Sequence, residues 1–271
     1  MQLHLTQADV EATARAVADQ FAELEFVESV VLGGSQATGK ASPYSDIDLY
    51  IFVSQSLPVE ARAGIIEPRS SRMELNADYW ETEDYWLEKT SGIKVEAIYR
   101  DDWLEKDLQT LFEHDRAQMG FSTSLWHSVV TSKILFDRSG WFASLKKLAD
   151  RPYPDSLAKA IIQKNFPLLR GSLIAHPNQL SSAIARNDRV FVNNLLYMVF
   201  NSYFDILFAL NHALHPGSKR QLAYAEALPL KPEKMSEDVN ALMTHDLETI
   251  TDTTRQLIDR LEKLLKEQRA I

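Results

Sequence analysis

Cysteine is absent from this 271-residue sequence. That excludes disulfides, thiolate metal sites and a thiol nucleophile, and fits a reducing, cytoplasmic setting. Also missing is any apolar run of the roughly 18–20 residues that a membrane helix requires, so no membrane partner is expected. The opening MQLHLTQADVEATARAV soon turns polar and acidic, which does not fit a secretory signal. Basic charge is scarce in one half only. Residues 1–150 hold 25 Asp and Glu against 14 Lys and Arg, a net of −11, whereas residues 151–271 carry a net of +2. A half that acidic repels phosphates and disfavours a long nucleic-acid partner. It attracts cations instead, either metal ions or a polyamine-like ligand, unless it is simply a solvated acidic surface. The remaining balance, 45% apolar and 25% charged residues, is that of a globular protein long enough for two domains.

Two textures divide the chain. In the first half, Thr6-Gln7-Ala8-Asp9 reads as a helix cap, and Val10, Ala14, Val17, Phe21 and Leu24 continue at helical spacing. Val27–Leu32 and Ile47–Val53 read as buried strands. A third strand spans Ile93–Tyr99, with Lys94, Glu96 and Ile98 alternating against Val95, Ala97 and Tyr99. Helix-like stretches are expected around Val59–Gly64 and Asp84–Thr90. After Pro152 and Pro154 the pattern becomes wholly helical, through Ser156–Ile174, Asn178–Arg186, Arg189–Leu214 and Asp246–Glu267. The run Val190–Leu214 is apolar on nearly every side, as a central bundle helix would be. The expected domains are therefore 1–150, mixing strands and helices, and 151–271, a helical bundle.

The chemistry concentrates in GGSQATGKASPYSDIDLYIF, Gly33 to Phe52. Gly33 and Gly34 allow unusual backbone torsions and let a phosphate approach the main chain. Ser35 adds a hydroxyl, and backbone N–H groups beyond it face an anion if a helix begins there. Asp46 follows Ser35 by eleven residues, and Asp48 lies two further on. On a strand such a pair projects to one side. Their like charges repel, which a bound cation relieves. Two hard metal ions about 3.5–4 Å apart would satisfy both carboxylates and act on a phosphoryl group.

This strand, Gly-Gly-Ser turn, Asp-x-Asp pair and apolar strand resemble the DNA polymerase β-like nucleotidyltransferase superfamily. The resemblance implies an α/β (α+β) N-terminal nucleotidyltransferase domain with a mixed sheet, followed by an all-helical C-terminal bundle, the layout of the antibiotic (aminoglycoside-type) adenylyltransferases. It also implies a third carboxylate on a neighbouring strand. Glu96, in IKVEAIY, is the leading candidate, with Asp101 and Asp102 past the strand end as fallbacks; the plainer reading of Glu96 is a solvated partner of Lys94. HPGSKRQLAYAEALP, His215 to Pro229, is similar to the Ser-Lys-x-x-Ala-x-x-(Trp/Tyr)-Ala segment of the streptomycin/spectinomycin adenylyltransferases, whose lysine contacts the nucleotide. Ser218 and Lys219 match, Leu222 stands at the first alanine, and Tyr224-Ala225 arrives one place early. Gly120–Asp137 and Tyr203–Arg220 resemble a bacterial family of nucleotidyltransferase-domain proteins. Gln36 stands where many relatives carry Arg, and residues 151–271 contain no Trp where the streptomycin enzymes use an aromatic residue for the drug.

The implied reaction is attack of an acceptor hydroxyl on the α-phosphate of ATP, releasing pyrophosphate. Asp46, Asp48 and Glu96 would hold Mg²⁺ as catalytic and metal residues. Gly34, Ser35 and Lys219 would hold the nucleoside triphosphate, in a cleft between the two domains. Lys40 is an alternative phosphate contact. The partner would be a small, cationic, antibiotic-like molecule, with Tyr79, Trp80, Tyr85, Trp86 and Trp103 beside Glu81, Glu83 and Asp84 as a candidate wall for it. His127 is a further candidate substrate contact. The rival readings are a nucleotide-binding regulatory or antitoxin-like protein, and an enzyme that modifies a protein or RNA.

Overall fold

The computed structural model describes residues 6–42, 45–244 and 247–271. Pro43 and Tyr44 of the glycine-to-aspartate motif, and Asp246 at the expected start of the last helix, lie outside the described residues. The chain divides into two compact units. The first comprises residues 1–108 and 128–151, the second 109–127 and 152–271.

The first unit opens with α1 (Gln7–Ala22), whose capping box joins Thr6 to Asp9. It continues with β1 (Val27–Leu32), a single turn α2 (Gly34–Ala37), β2 (Ile47–Val53) and α3 (Val59–Ile66). Then come β3 (Ser70–Ala77), β4 (Thr82–Glu88), β5 (Lys94–Arg100) and α4 (Trp103–His114), whose residues from Gln109 onward belong to the second unit. The chain returns at Ser128, within α5 (Ser124–Thr131), and continues through β6 (Lys133–Asp137) and α6 (Trp141–Ala149). The six strands form one mixed sheet in the order β3-β4-β5-β2-β1-β6, in which only β2 and β5 pair in parallel.

The stretch Asp84–Thr90, expected to be helix-like, instead lies largely in β4, and β3 and β6 are strands that the sequence reading did not foresee. The reason is visible in β4. Its alternation places Asp84 and Trp86 on the core side and Tyr85 on the other, so polar and aromatic residues occur on both faces. Asp84 is tolerated inside because Arg62 of α3 pairs with it at 2.9 Å, both fully buried, while Tyr99 donates to it at 2.7 Å. A buried acid so satisfied hides the period of two that marks a strand.

One face of the central strands builds the hydrophobic core. Ile47, Leu49 and Ile51 of β2 and Val95 and Ala97 of β5 pack with Val10, Ala14, Val17 and Phe21 of α1. Side chains alternate along a strand, so the intervening Asp48, Tyr50 and Phe52 must face the other way. Phe52 is covered by Trp141 and Phe142 of α6, with ring centroids 5.1 and 5.3 Å away. The acidic end of that second face carries the candidate site.

The second unit is helical: α7 (Asp155–Leu169), α8 (His176–Ala185), α9 (Arg189–Leu210), α10 (Gln221–Glu226), α11 (Met235–Met243) and α12 (Ile250–Glu267). The seven residues from Tyr203 to Ala209 are buried without a break, as the sequence reading of a central helix requires. Among them Asp205 accepts from Ser122 N and Oγ (2.9 and 2.6 Å) and from Asn165 Nδ2 (3.2 Å). Burial raises its carboxyl to about 6 against these hydrogen bonds. No helix among the described residues is long and apolar enough to cross a membrane.

Candidate active site

The parallel pairing of β2 with β5 sets Asp48 opposite Glu96 in register. Asp46 precedes β2 by one residue. Asp46, Asp48 and Glu96 each offer a carboxylate oxygen within 4.8 Å of the others. Asp48 is buried, while Asp46 and Glu96 are half-buried. Three acids this close, with little water around one of them, favour a cation among them. Hard oxygen donors in this number suit Mg²⁺, which binds through a few carboxylates and keeps positions for water and phosphate.

A cation of the chain itself already stands there. Lys94 Nζ lies 3.4 Å from Asp46 Oδ2, forms an ion pair with Glu96, and sits 5.6 Å from the centre of the Tyr85 ring. Burial by itself would lower the ammonium pKa, but Glu96 first and then Asp46 outweigh it and hold it above the usual lysine range. Glu96 is thus both the partner of Lys94 and a member of the acidic cluster; the two readings of the sequence coexist.

The turn after β1 is built onto the same carboxylates. Gly33 N donates to Asp48 O at 2.8 Å. Gly34 has φ +58°, and a Cβ there would lie 1.8 Å from Asp48 Oδ2. A Cβ on Gly33 would meet the Tyr50 ring at 2.3 Å. The two glycines therefore allow the turn to lie directly on the acidic strand, a close approach that side chains forbid. Gly34 is exposed and Ser35 half-buried at this turn, so both remain accessible to a ligand. Gln36 is buried, with Nε2 donating to Ser45 O at 3.4 Å.

Asp101 and Asp102 do not join the cluster. Asp101 accepts from Trp103 N at 2.9 Å at the start of α4, and Asp102 pairs with Lys106 at 3.0 Å. Lys219 is exposed on the turn before α10, within the second unit. His127, also in that unit, meets Tyr224 edge-on at 6.3 Å between ring centres. The aromatic stretch does not form one wall. Trp86 is buried and donates to Glu88 at 2.9 Å, while Tyr79 and Trp80 stand 70% and 88% exposed at the β3–β4 turn.

Sequence reasoning named Glu83 only as part of a wall for the acceptor and missed its place beside the carboxylate cluster. It is buried on β4, beside Ile98 in register, and burial followed by the charge of Glu96 raises its carboxyl pKa. Reading Thr82–Glu88 as a strand would have shown Glu83, Tyr85 and Leu87 sharing one face. At the far end of this face Arg100 clamps Glu81 through two bonds of 2.7 and 2.6 Å and lies 4.3 Å over Tyr50.

Residues 14–114 match the family model of the nucleotidyltransferase domain. The matched segment contains the Gly33-Gly34-Ser35 turn and all three clustered carboxylates, and supports nucleotidyl transfer as the general class of activity. Among solved structures, a nucleotidyltransferase-like protein from Exiguobacterium sibiricum is similar at 12% identity and a TM-score of 0.45, over 95% of this chain and 75% of that one. No curated protein matches the chain.

If Glu96 completes the cluster, Glu96→Gln lowers turnover by about 100-fold or more, the scale of losing one positioned charge in an active site. Asp101→Asn and Asp102→Asn leave it within about twofold, since surface pairs contribute little. Steady-state rates of the three variants check this. A loss confined to Asp101→Asn or Asp102→Asn transfers the third carboxylate role past the strand end.

Proposed function

We propose that this protein transfers AMP from ATP to a hydroxyl of a small, cationic acceptor of the antibiotic type, releasing pyrophosphate, with Mg²⁺ held by Asp46, Asp48 and Glu96. The observation that carries the proposal is the convergence of these carboxylates beside the Gly33-Gly34-Ser35 turn, within the segment that matches the nucleotidyltransferase domain. Bound divalent ions supply charge neutralisation and Lewis acidity at the phosphates.

The chain's own groups do the rest. Gly34 and Ser35 offer backbone N–H groups and a hydroxyl to the β- and γ-phosphates. The acceptor oxygen bonds to the α-phosphorus as the bond from that phosphorus to the β-phosphate oxygen breaks. The acceptor's proton leaves to a carboxylate, a role proposed for Glu96, or to water. Catalysis of this kind consists chiefly of positioning and charge neutralisation. The acidic balance of residues 1–150 favours a cationic acceptor.

With ATP labelled at the α-phosphate, the label appears on the acceptor; with the γ-label, it appears only in pyrophosphate. A γ-label on the acceptor replaces nucleotidyl with phosphoryl transfer. Lys219 completes the proposal as the cation for the triphosphate, since Gly34 and Ser35 bring hydrogen bonds but no positive charge. Lys219→Ala then weakens ATP binding by roughly 1.5–3 kcal/mol, the value of a charged hydrogen bond, and acceptor binding much less. Calorimetric titration checks it, and an unchanged ATP affinity alongside a loss in Lys40→Ala assigns the contact to Lys40.

A further inference from the structure

The Lys94 side chain is 45% exposed, and the buried contact on this part of β5 comes from its neighbour Val95. Yet its ammonium contacts two of the three clustered carboxylates, Asp46 and Glu96. These are two of the three carboxylates that a metal ion would take. An ammonium and a metal ion cannot both occupy the space among carboxylates whose ligand oxygens all lie within 4.8 Å, because each would repel the other at contact distance. Lysine carries its charge on a flexible four-carbon stem, so it can withdraw without moving the strand.

We propose that Lys94 is the site's resident counter-ion, filling the cation position among Asp46, Asp48 and Glu96 until a divalent metal displaces it. The inference rests on the metal role proposed above for these carboxylates. It adds that metal entry is an exchange of one cation for another, which keeps the acidic cluster neutralised when metal is scarce and makes Lys94 a brake on loading. The exchange has a thermodynamic signature: an effector that competes for one state weakens the other ligand by a fixed factor, commonly about 5–150-fold.

The test measures Mn²⁺ binding without nucleotide, from the free-ion paramagnetic resonance signal, together with melting temperature in chelator and in excess Mn²⁺. Four proteins are compared: wild type, Lys94→Met, Lys94→Arg and Asp48→Asn. Lys94→Met binds Mn²⁺ about tenfold or more tightly than wild type, melts lower than wild type in chelator, and gains more stability on adding metal. Lys94→Arg, which keeps the charge, binds no more tightly than wild type, and Asp48→Asn loses binding. If wild type binds Mn²⁺ and Lys94→Met binds it equally or more weakly, the counter-ion role is overturned while the metal site stands. If neither wild type nor Lys94→Met binds Mn²⁺, the metal site and the counter-ion role fall together. The melting curves show whether each variant is folded when its affinity is read.

Discussion

Asp48→Asn abolishes nucleotidyl transfer, with a fall of about 1,000-fold or more, while the protein in chelator melts at or above the wild-type temperature. Both halves of the result follow from one geometry. Asp48 is the buried member of a group of three carboxylates within 4.8 Å, in register with Glu96 on the neighbouring parallel strand. In the metal role proposed for Asp48, removing its charge deletes a ligand where charge develops, which costs at least the 100- to 1,000-fold seen for a single positioned group. Without metal the same change relieves repulsion between like charges, a small gain in stability. A residual rate within tenfold of wild type at saturating Mg²⁺ contradicts the role given to Asp48; a large loss of stability in chelator contradicts the electrostatic account of it.

The second large effect belongs to Gly34. Gly34→Ala places a methyl group 1.8 Å from Asp48 Oδ2, at a backbone φ of +58°. The torsion alone costs about 1–2 kcal/mol for a residue with a Cβ, and the overlap is relieved only by moving either the turn or the carboxylate. Turnover therefore falls by about 100-fold or more, and thermal stability falls with it. Gly39→Ala separates the two causes. Gly39 also has a positive φ, +68°, but a Cβ there meets nothing within 4 Å. It shows the stability loss with turnover kept. Equal turnover losses in the two variants would mean that backbone strain, and not contact with Asp48, governs the turn.

The site was more legible than the sheet around it. β1, β2 and β5 are apolar on their core side without interruption, so their patterns stood out, and with them the acids that break the pattern at Asp46, Asp48 and Glu96. β3 and β6 are edge strands. Most of β3 is exposed on both faces, which leaves no alternation to read. β4 was obscured because Asp84 is buried against Arg62, a partner 22 residues earlier that no local pattern announces. Losing β4 also hid the position of Glu83 beside the cluster, which depends on strand pairing with β5. The close approach of Gly34 to Asp48 was equally beyond the sequence. The glycines were legible as a phosphate-binding turn, but that the same turn rests on the carboxylate is a fact of three-dimensional packing.

The most direct test is a crystal structure of the protein with Mn²⁺ and a non-hydrolysable ATP analogue, with the metal located by its anomalous scattering. The predicted result is an anomalous peak ligated by Asp46, Asp48 and Glu96, Lys94 withdrawn from them, and the triphosphate against Gly34 and Ser35. Metal and triphosphate bound together elsewhere, with Lys94 still paired to Asp46 and Glu96, would contradict the assignment of this face as the active site.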